Sequence, residues 1–395
     1  MNKRCVRDID IKGKRVLVRV DLNVPRDDKT GAITDESRIR ATLPTIRYLI
    51  DRQSKVVLCS HMGRPNGKVE PINSLAPLAE RLSTMLGVKV AMARDCVGEA
   101  VIQQVGAMKQ GEVVLLENVR FHPEEEANEP DFAKALANLA DVFLNDAFGV
   151  AHRAHASTEG ITHYLPSVAG FLMEKEIDIL GKIIDSPERP VAAVSGGAKV
   201  SDKLLLLQKM LDTVDVMILG GAMCGTFFKS RGYEVGDSLI ESELLGATTE
   251  IERGALDRGV KFLLPEDVVI GQSFDADADA KIVAATAIEP GWMVLDIGPL
   301  AANTFAKALT ACKTVIWNGP MGVCEMPRFA KGTHKLAEVI ASLAATTVAG
   351  GGSTAQVLQD LGLVNDMTHV STGGGASLEL LEGKTLPGLA ALLDK

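Results

Sequence analysis

Four arginines carry the most specific chemistry that this sequence offers: Arg38, Arg64, Arg120 and Arg153. A guanidinium fork matches carboxylate and phosphate oxygens two at a time. Each of the four stands near the end of a strand-like run or in a neighbouring loop. Arg38 opens the first helical pattern, Arg64 lies in SHMGRP, Arg120 in ENVR and Arg153 in AHRAHAST. Asp21, Asn23 and His61 occupy similar strand-end positions. Convergence of this set on one crevice predicts a small, multiply anionic substrate. One such arginine alone reads as a surface salt bridge. The set of four resists that reading, because the chain carries a net charge of −9. His61 reads equally as a substrate contact or a turn residue, and His152 and His155 equally as structural or functional. No Ser-His-Asp or Cys-His arrangement follows from spacing, and no HExxH or paired-histidine pattern supports a metal centre.

A second stretch with chemical potential is PVAAVSGGAKVSDK, residues 190–203. The apolar run 191–194 predicts a strand. Ser195, Gly196 and Gly197 break it, and residues 200–211 predict a helix with Ser201 and Asp202 in its first turn. Glycines let the backbone approach a ligand, and a helix N-terminus offers free N–H groups and partial positive charge. Lys199 and Lys203, four apart, would share a helical face. The stretch reads as a phosphate site. It reads equally as an ordinary strand-to-helix turn with surface lysines. It is not a Walker A loop.

The elements that must hold these residues alternate. In the first half, strand-like runs at Arg15–Val20, Lys55–Cys59, 88–92, 112–116 and 141–144 interleave with helical patterns at 37–52, 75–86, 98–108 and 131–139. That alternation predicts a parallel sheet covered by helices on both faces, with ligands off the carboxyl ends of its strands. After a helical pattern and a break near 171–190, the alternation repeats with more glycine. Five glycine-rich turns on successive strand-like runs predict a nucleotide. No GxGxxG follows a strand, which lowers a dinucleotide dehydrogenase. FDADADAK, residues 274–281, lacks the glycine and terminal Glu of a calcium loop and predicts a solvated hairpin or loop.

Bulk properties agree. The 395 residues suit two domains, and 46% hydrophobic with 24% charged residues is a globular profile. Aromatics at 4% and the negative charge disfavour a nucleic-acid or membrane partner. The six cysteines are scattered without a CxxC pair, which fits a reducing cytoplasm. The N-terminus has no apolar signal-peptide core, and no apolar run is long enough to span a membrane.

RVDLNVP (19–25), SHMGRP (60–65), LLENVRFHPEEE (115–126), NDAFGVAHRAHAST (145–158), SGGAKVSDK (195–203), WNGPMGV (317–323) and STGGGASLELLEGKTLPG (371–388) together resemble phosphoglycerate kinase of the bacterial type, in order and over essentially the whole chain. The resemblance implies an α/β fold of two doubly wound, Rossmann-like parallel-sheet domains joined by a hinge helix. Residues 1–172 with 380–395 would bind phosphoglycerate, 173–189 would be the hinge and 190–379 would bind nucleotide. It implies a cytoplasmic, monomeric enzyme of glycolysis and gluconeogenesis. Its reaction would be reversible phosphoryl transfer between 1,3-bisphosphoglycerate with ADP and 3-phosphoglycerate with ATP, with Mg²⁺ as cofactor and with domain closure.

Residue by residue, the resemblance puts Asp21, Asn23, Arg38, His61, Arg64, Arg120 and Arg153 on the phosphoglycerate. It puts Gly197, Lys199, Lys203, Asn318, Glu325, Gly351, Gly352, Ser353 and Thr354 on the nucleotide. Arg38, Lys199 and the N–H groups at Gly373, Gly374 and Gly375 would face the transferred phosphoryl group. The C-terminal tail would return to the first domain. The nucleophile is a carboxylate, already ionised, so catalysis reduces to positioning and charge stabilisation, which explains why no general base stands out.

Three departures from the family pattern involve four positions. Ser353 replaces the Asp that helps hold magnesium, Val294 replaces a Gly beside the adenine region, and Leu300 and Ala301 replace a polar residue and Thr. Ser353 and Val294 motivate a competing reading as a nucleotide-binding protein without catalysis. A different two-domain α/β kinase or dehydrogenase is a third reading, and it would need another account of the arginines.

Overall fold

The computed structural model describes residues 2–27 and 30–395. In the first half, six runs pair as strands: β1 (Arg15–Val20), β2 (Lys55–Cys59), β3 (Val90–Met92), β4 (Val113–Leu115), β5 (Val142–Asp146) and β6 (Ser167–Ala169). They form one parallel sheet in the order β3-β4-β2-β1-β5-β6. β1 is apolar on both faces because both are covered. Val16, Val18 and Val20 enter one core and Leu17 the other. Arg19 falls on Leu17's side of the alternation, and it is fully buried. The flanking helix Ser37–Asp51 buries Ile39, Thr42, Ile46 and Leu49, the three-to-four spacing of one helical face.

The second half opens with β7 (Val191–Ser195), β8 (Val216–Leu219) and β9 (Lys261–Leu263). Then come β10 (Asp267–Gly271), β11 (Ala280–Ala284), β12 (Met293–Ile297), β13 (Thr314–Asn318), β14 (Thr346–Gly350) and β15 (His369–Val370). Six of these form a parallel sheet in the order β15-β14-β13-β7-β8-β9. The other three form a separate antiparallel sheet, β11-β10-β12. The sequence pattern assigned Met293–Ile297 to the main parallel sheet. It pairs instead with β10, so Gly298 does not belong to the glycine rim of that sheet. The residues 274–279 form the connection between β10 and β11, as the solvated loop reading expected.

The chain forms two units, Met1–Gly181 with Thr385–Lys395, and Lys182–Lys384. The boundary falls within helix Phe171–Asp185. The C-terminal return is held by backbone bonds: Leu393 N–H donates to Ser167, Arg4 N–H to Leu393 and Gly388 N–H to Ala151. Among the described residues, no helix is long and apolar enough to cross a membrane.

Each parallel sheet reverses its winding direction once. In the first, the chain runs outward on one side from β1 and returns to the other side at β5. In the second, the reversal lies between β7 and β13. The crevice outside the strand ends at such a reversal is where α/β sheets hold ligands.

Candidate active site

In the first unit, the segment leaving β1 carries Asp21 and Asn23. Arg38, from the first turn of helix Ser37–Asp51, donates from Nη1 to Asp21 Oδ2 and to the Asn23 carbonyl, both at 3.0 Å. Asn23 Oδ1 accepts from Gly63 N–H at 2.9 Å, after β2. The Gly63 carbonyl in turn accepts from Arg120 Nη1 at 2.8 Å, after β4. A chain of hydrogen bonds thus ties three strand ends together. Burial, then the charges of Arg19, Arg120, Arg38 and Arg153, holds the His61 imidazole well below its usual range. His61 is neutral and sits in a field of four guanidinium groups.

Beneath this surface lies a buried polar layer. Arg19 donates from Nε to Ser157 Oγ at 2.8 Å and from Nη2 to His61 Nδ1 at 3.1 Å. Glu125 is fully buried and accepts from Ser157 N–H at 2.9 Å and Ser157 Oγ at 2.6 Å. Burial pushes the Glu125 carboxyl up, and the Arg19 charge, Ser157 and Arg120 pull it down. Burial lowers Arg120 to about 10, with Arg19 and Arg153 adding to the shift against the pull of Glu126. His155 is lowered to about 3, first by burial and then by Arg120, Arg19 and Arg153. Arginine this concentrated costs desolvation and mutual repulsion, and an anionic ligand relieves both.

In the second unit, Gly196 and Gly197 follow β7, and β13 ends in Asn318. These two strand ends nearly touch. Gly319 has φ +93°, and a Cβ there would strike the Gly196 carbonyl oxygen, so a side chain is excluded by conformation and by space. Lys203 Nζ donates to Asn318 Oδ1 across the winding reversal. Burial lowers the Lys203 ammonium, with Asp202 and Glu382 opposing. Gly351 (φ +92°) precedes helix Gly352–Asp360, and a Cβ there would lie 3.1 Å from Asn318 Nδ2. Thr354 is buried, and its hydroxyl accepts from Gly319 N–H at 2.8 Å.

The expected helix over 200–211 is shorter, Leu204–Met210, with Lys203 preceding it. Glu241 is the reason. Its carboxylate accepts from Val200 N–H at 2.6 Å, Ser201 N–H at 3.1 Å and Ser201 Oγ at 2.5 Å. These bonds hold 200–203 as a turn, so Lys199 and Lys203 do not share a helical face.

The model of the family described as phosphoglycerate kinase matches residues 6–384. The chain belongs to the phosphoglycerate kinase family. A relative from Microcystis aeruginosa named phosphoglycerate kinase is 54% identical over 399 residues, covering 99% of each chain. A cytosolic phosphoglycerate kinase from Triticum aestivum is 55% identical over 389 residues, covering 98% of this chain and 96% of its own. The solved structure of phosphoglycerate kinase from Coxiella burnetii matches with a TM-score of 0.89 and 39% identity over 98% of both chains. With the family comes its chemistry: a phosphotransferase reaction with a carboxyl acceptor, run reversibly between 1,3-bisphosphoglycerate with ADP and 3-phosphoglycerate with ATP.

Against this family background, the residues singled out in the sequence divide. Asp21, Asn23, Arg38 and Arg120 are joined by the hydrogen bonds described above, and the charges of Arg38, Arg120 and Arg153 reach His61. Arg64 is exposed and makes no hydrogen bond or ion pair among the described residues. Lys203, Asn318 and Gly351 meet, and Gly197 borders Lys203. Lys199, Glu325, Gly352 and Ser353 are exposed. Gly374 (φ +50°) precedes helix Gly375–Leu381, while Gly373 N–H already donates to Ser371 Oγ at 3.1 Å. Val294 is buried, and its N–H donates to Ser238 Oγ at 3.0 Å. Ala301 is buried at the start of helix Pro299–Leu309, where a larger polar residue would need space and a partner.

Sequence reasoning missed Arg19, Glu125 and Ser157. A signal for Arg19 existed, since it is a lone charge inside an otherwise apolar central strand. Glu125, in the short helix Pro123–Glu126, and Ser157, in a loop, lie among other polar residues and gave none.

Proposed function

We propose that the first unit binds phosphoglycerate at the β1/β5 reversal and the second binds the nucleotide at the β7/β13 reversal. The observation that carries this reading is the hydrogen-bonded set of Arg38, Asp21, Asn23, Gly63 and Arg120 at three strand ends, with His61 held by Arg19 beside it. Arg38, Arg120 and Arg153 would take the carboxylate and phosphate oxygens. Arginine has no acceptor, so His61 Nδ1 must accept from Arg19, and the neutral ring carries its proton on Nε2. That proton is a donor for a substrate oxygen. Asp21 and Asn23 hold Arg38 in place. Arg64, with no protein partner, is free to reach ligand.

On the second unit, Lys203 would neutralise nucleotide phosphate, with Gly197, Gly351 and Gly352 allowing close backbone approach. Lys199 and the turn before helix Gly375–Leu381, at Gly374 and Gly375, would meet the charge on the transferred group. Glu325 would accept from the ribose. Catalysis then consists of holding donor and acceptor in line and countering charge, with no proton to remove from the carboxylate. An acyl phosphate hydrolyses in water, so transfer would be accompanied by a domain closure that excludes it.

Mg²⁺ enters the same proposal as the partner of the nucleotide phosphates, whose negative charge it offsets. At the start of helix Gly352–Asp360 the chain offers the exposed Ser353 hydroxyl, a neutral oxygen ligand. That donor fits a hard cation held mainly by phosphate and water oxygens. A cytoplasmic location belongs to the same proposal, supported by the Triticum aestivum relative named cytosolic and by six unpaired cysteines. The monomeric state is a family expectation, to be read by light scattering.

The test is steady-state transfer from ATP to 3-phosphoglycerate, with Lys199→Ala beside the wild type. Loss of turnover with nucleotide binding retained supports the assignment. Equal turnover contradicts the role given to Lys199.

A further inference from the structure

A cavity in the second unit is lined by none of the substrate or nucleotide residues assigned above. It measures about 730 Å³, within the range of small-molecule pockets. β10 and β11, the start of helix Pro299–Leu309 and the start of helix Lys331–Ala341 enclose it. Its apolar wall comprises Val269, Ile282, Ile297 and Ala302. Ile282 is 58% exposed on the edge strand β11, a large apolar side chain left facing the mouth.

The charged lining is one-sided. Lys281, Arg328, Lys331 and Lys335 line the cavity against the single carboxylate of Asp279, in a chain whose net charge is −9. Two of the four cations are engaged. Lys281 pairs with Glu289 at 2.8 Å and lies over the Trp292 ring, and Arg328 donates to the carbonyls of Asp277 and Ala278. Lys331 and Lys335 have no hydrogen-bond or ion-pair partner among the described residues. They are four apart on one helix, so their ammonium groups lie on one side. The helix starts themselves are already satisfied. Asp267 accepts from Leu300 N–H and Ala301 N–H at 3.1 and 2.7 Å, and Asp296 accepts from Gly332 N–H at 2.8 Å. The attraction for an anion therefore comes from side chains.

We propose that this cavity binds an anionic amphiphile, with a carboxylate or phosphate head at Lys331 and Lys335 and an alkyl body against Ile282, Val269 and Ala302. Apolar burial supplies affinity, and the paired lysines select the sign of the head group.

The test is calorimetry on the full chain with decanoate and with decyl phosphate, in the presence and absence of saturating MgADP. One equivalent of either amphiphile binds, nucleotide does not displace it, and acetate and decyltrimethylammonium give no heat. The tighter of the two head groups identifies the source of the ligand. K331E/K335E weakens binding at least tenfold and leaves phosphoryl transfer within twofold of wild type; Glu at the first helical position suits a helix N-terminus and both positions are exposed, so the fold is kept. Ile282→Asp weakens binding by shortening the apolar wall. Absence of binding by both amphiphiles, displacement by MgADP, equal binding of decyltrimethylammonium or unchanged affinity in K331E/K335E overturns the proposal.

Discussion

Arg19 Nη2 donates to His61 Nδ1 at 3.1 Å, and both side chains are buried. This contact sets the tautomer of His61, which sits among the arginines proposed to bind substrate. It also links that histidine to Glu125 through Ser157. Removing the Arg19 charge leaves Glu125 buried without its nearest compensation. Arg19→Met is therefore expected to lose about 3–5 kcal/mol of stability, the usual result of breaking one side of a buried charged network. Denaturant unfolding followed by circular dichroism measures it. A loss below about 1 kcal/mol, the scale of a surface ion pair, would show that the buried layer does not act as a unit.

His155 gives the fold an acid-sensitive term. Its folded-state value is about 3, against an ordinary 6.5. Between those values the unfolded chain binds a proton that the folded chain does not. The contribution is fully present above pH 6.5 and is lost as pH falls toward 3. At pH 5 the loss is roughly 2 kcal/mol. His155→Gln removes this term, so its stability should drop less than that of the wild type between pH 7 and pH 5. Parallel curves for the two proteins would contradict the assignment.

Lys203 is the proposed nucleotide-side counterpart of the arginine set. Lys203→Ala should weaken ADP binding by about 10- to 100-fold, the worth of a charge-assisted hydrogen bond or two. Binding of 3-phosphoglycerate should be unchanged, because its proposed ligands belong to the other unit. Calorimetry with each ligand separately decides between this and a general loss of structure, which would weaken both.

Ser353 predicts a weak protein contribution to metal binding. Ser353→Asp places a carboxylate at the start of helix Gly352–Asp360, where negative charge is tolerated. The Mg²⁺ concentration needed for half-maximal ADP binding should fall by about tenfold, as a charged ligand replaces a neutral one. An unchanged titration would show that position 353 does not touch the metal.

Much of the architecture was legible because strand and helix periods differ. Alternating apolar runs and three-to-four patterns placed the strands of both parallel sheets within a few residues, except the three-residue edge strand β6 (Ser167–Ala169), which the sequence reading missed. The failures have local causes. Met293–Ile297 has the same apolar run as a parallel core strand, and only its pairing with β10 shows that it belongs elsewhere. Residues 200–203 carry helical propensity, but Glu241, some forty residues downstream, captures their amides. The arginine set was visible because charge at a strand end is informative. Arg19 was passed over because it lies one residue inside the strand, where its burial depends on Ser157 and Glu125, partners distant in sequence.

Arg38 carries the central claim, since it joins the β1 end to the proposed substrate site through Asp21 and Asn23. The most direct measurement is turnover of Arg38→Ala with ATP and 3-phosphoglycerate at saturation, with ADP binding measured on the same sample. The expected result is a fall in turnover of about 10²–10³-fold, as for loss of a charge-stabilising donor, with ADP affinity unchanged. Turnover within tenfold of wild type would contradict the placement of the reacting carboxylate beside Arg38.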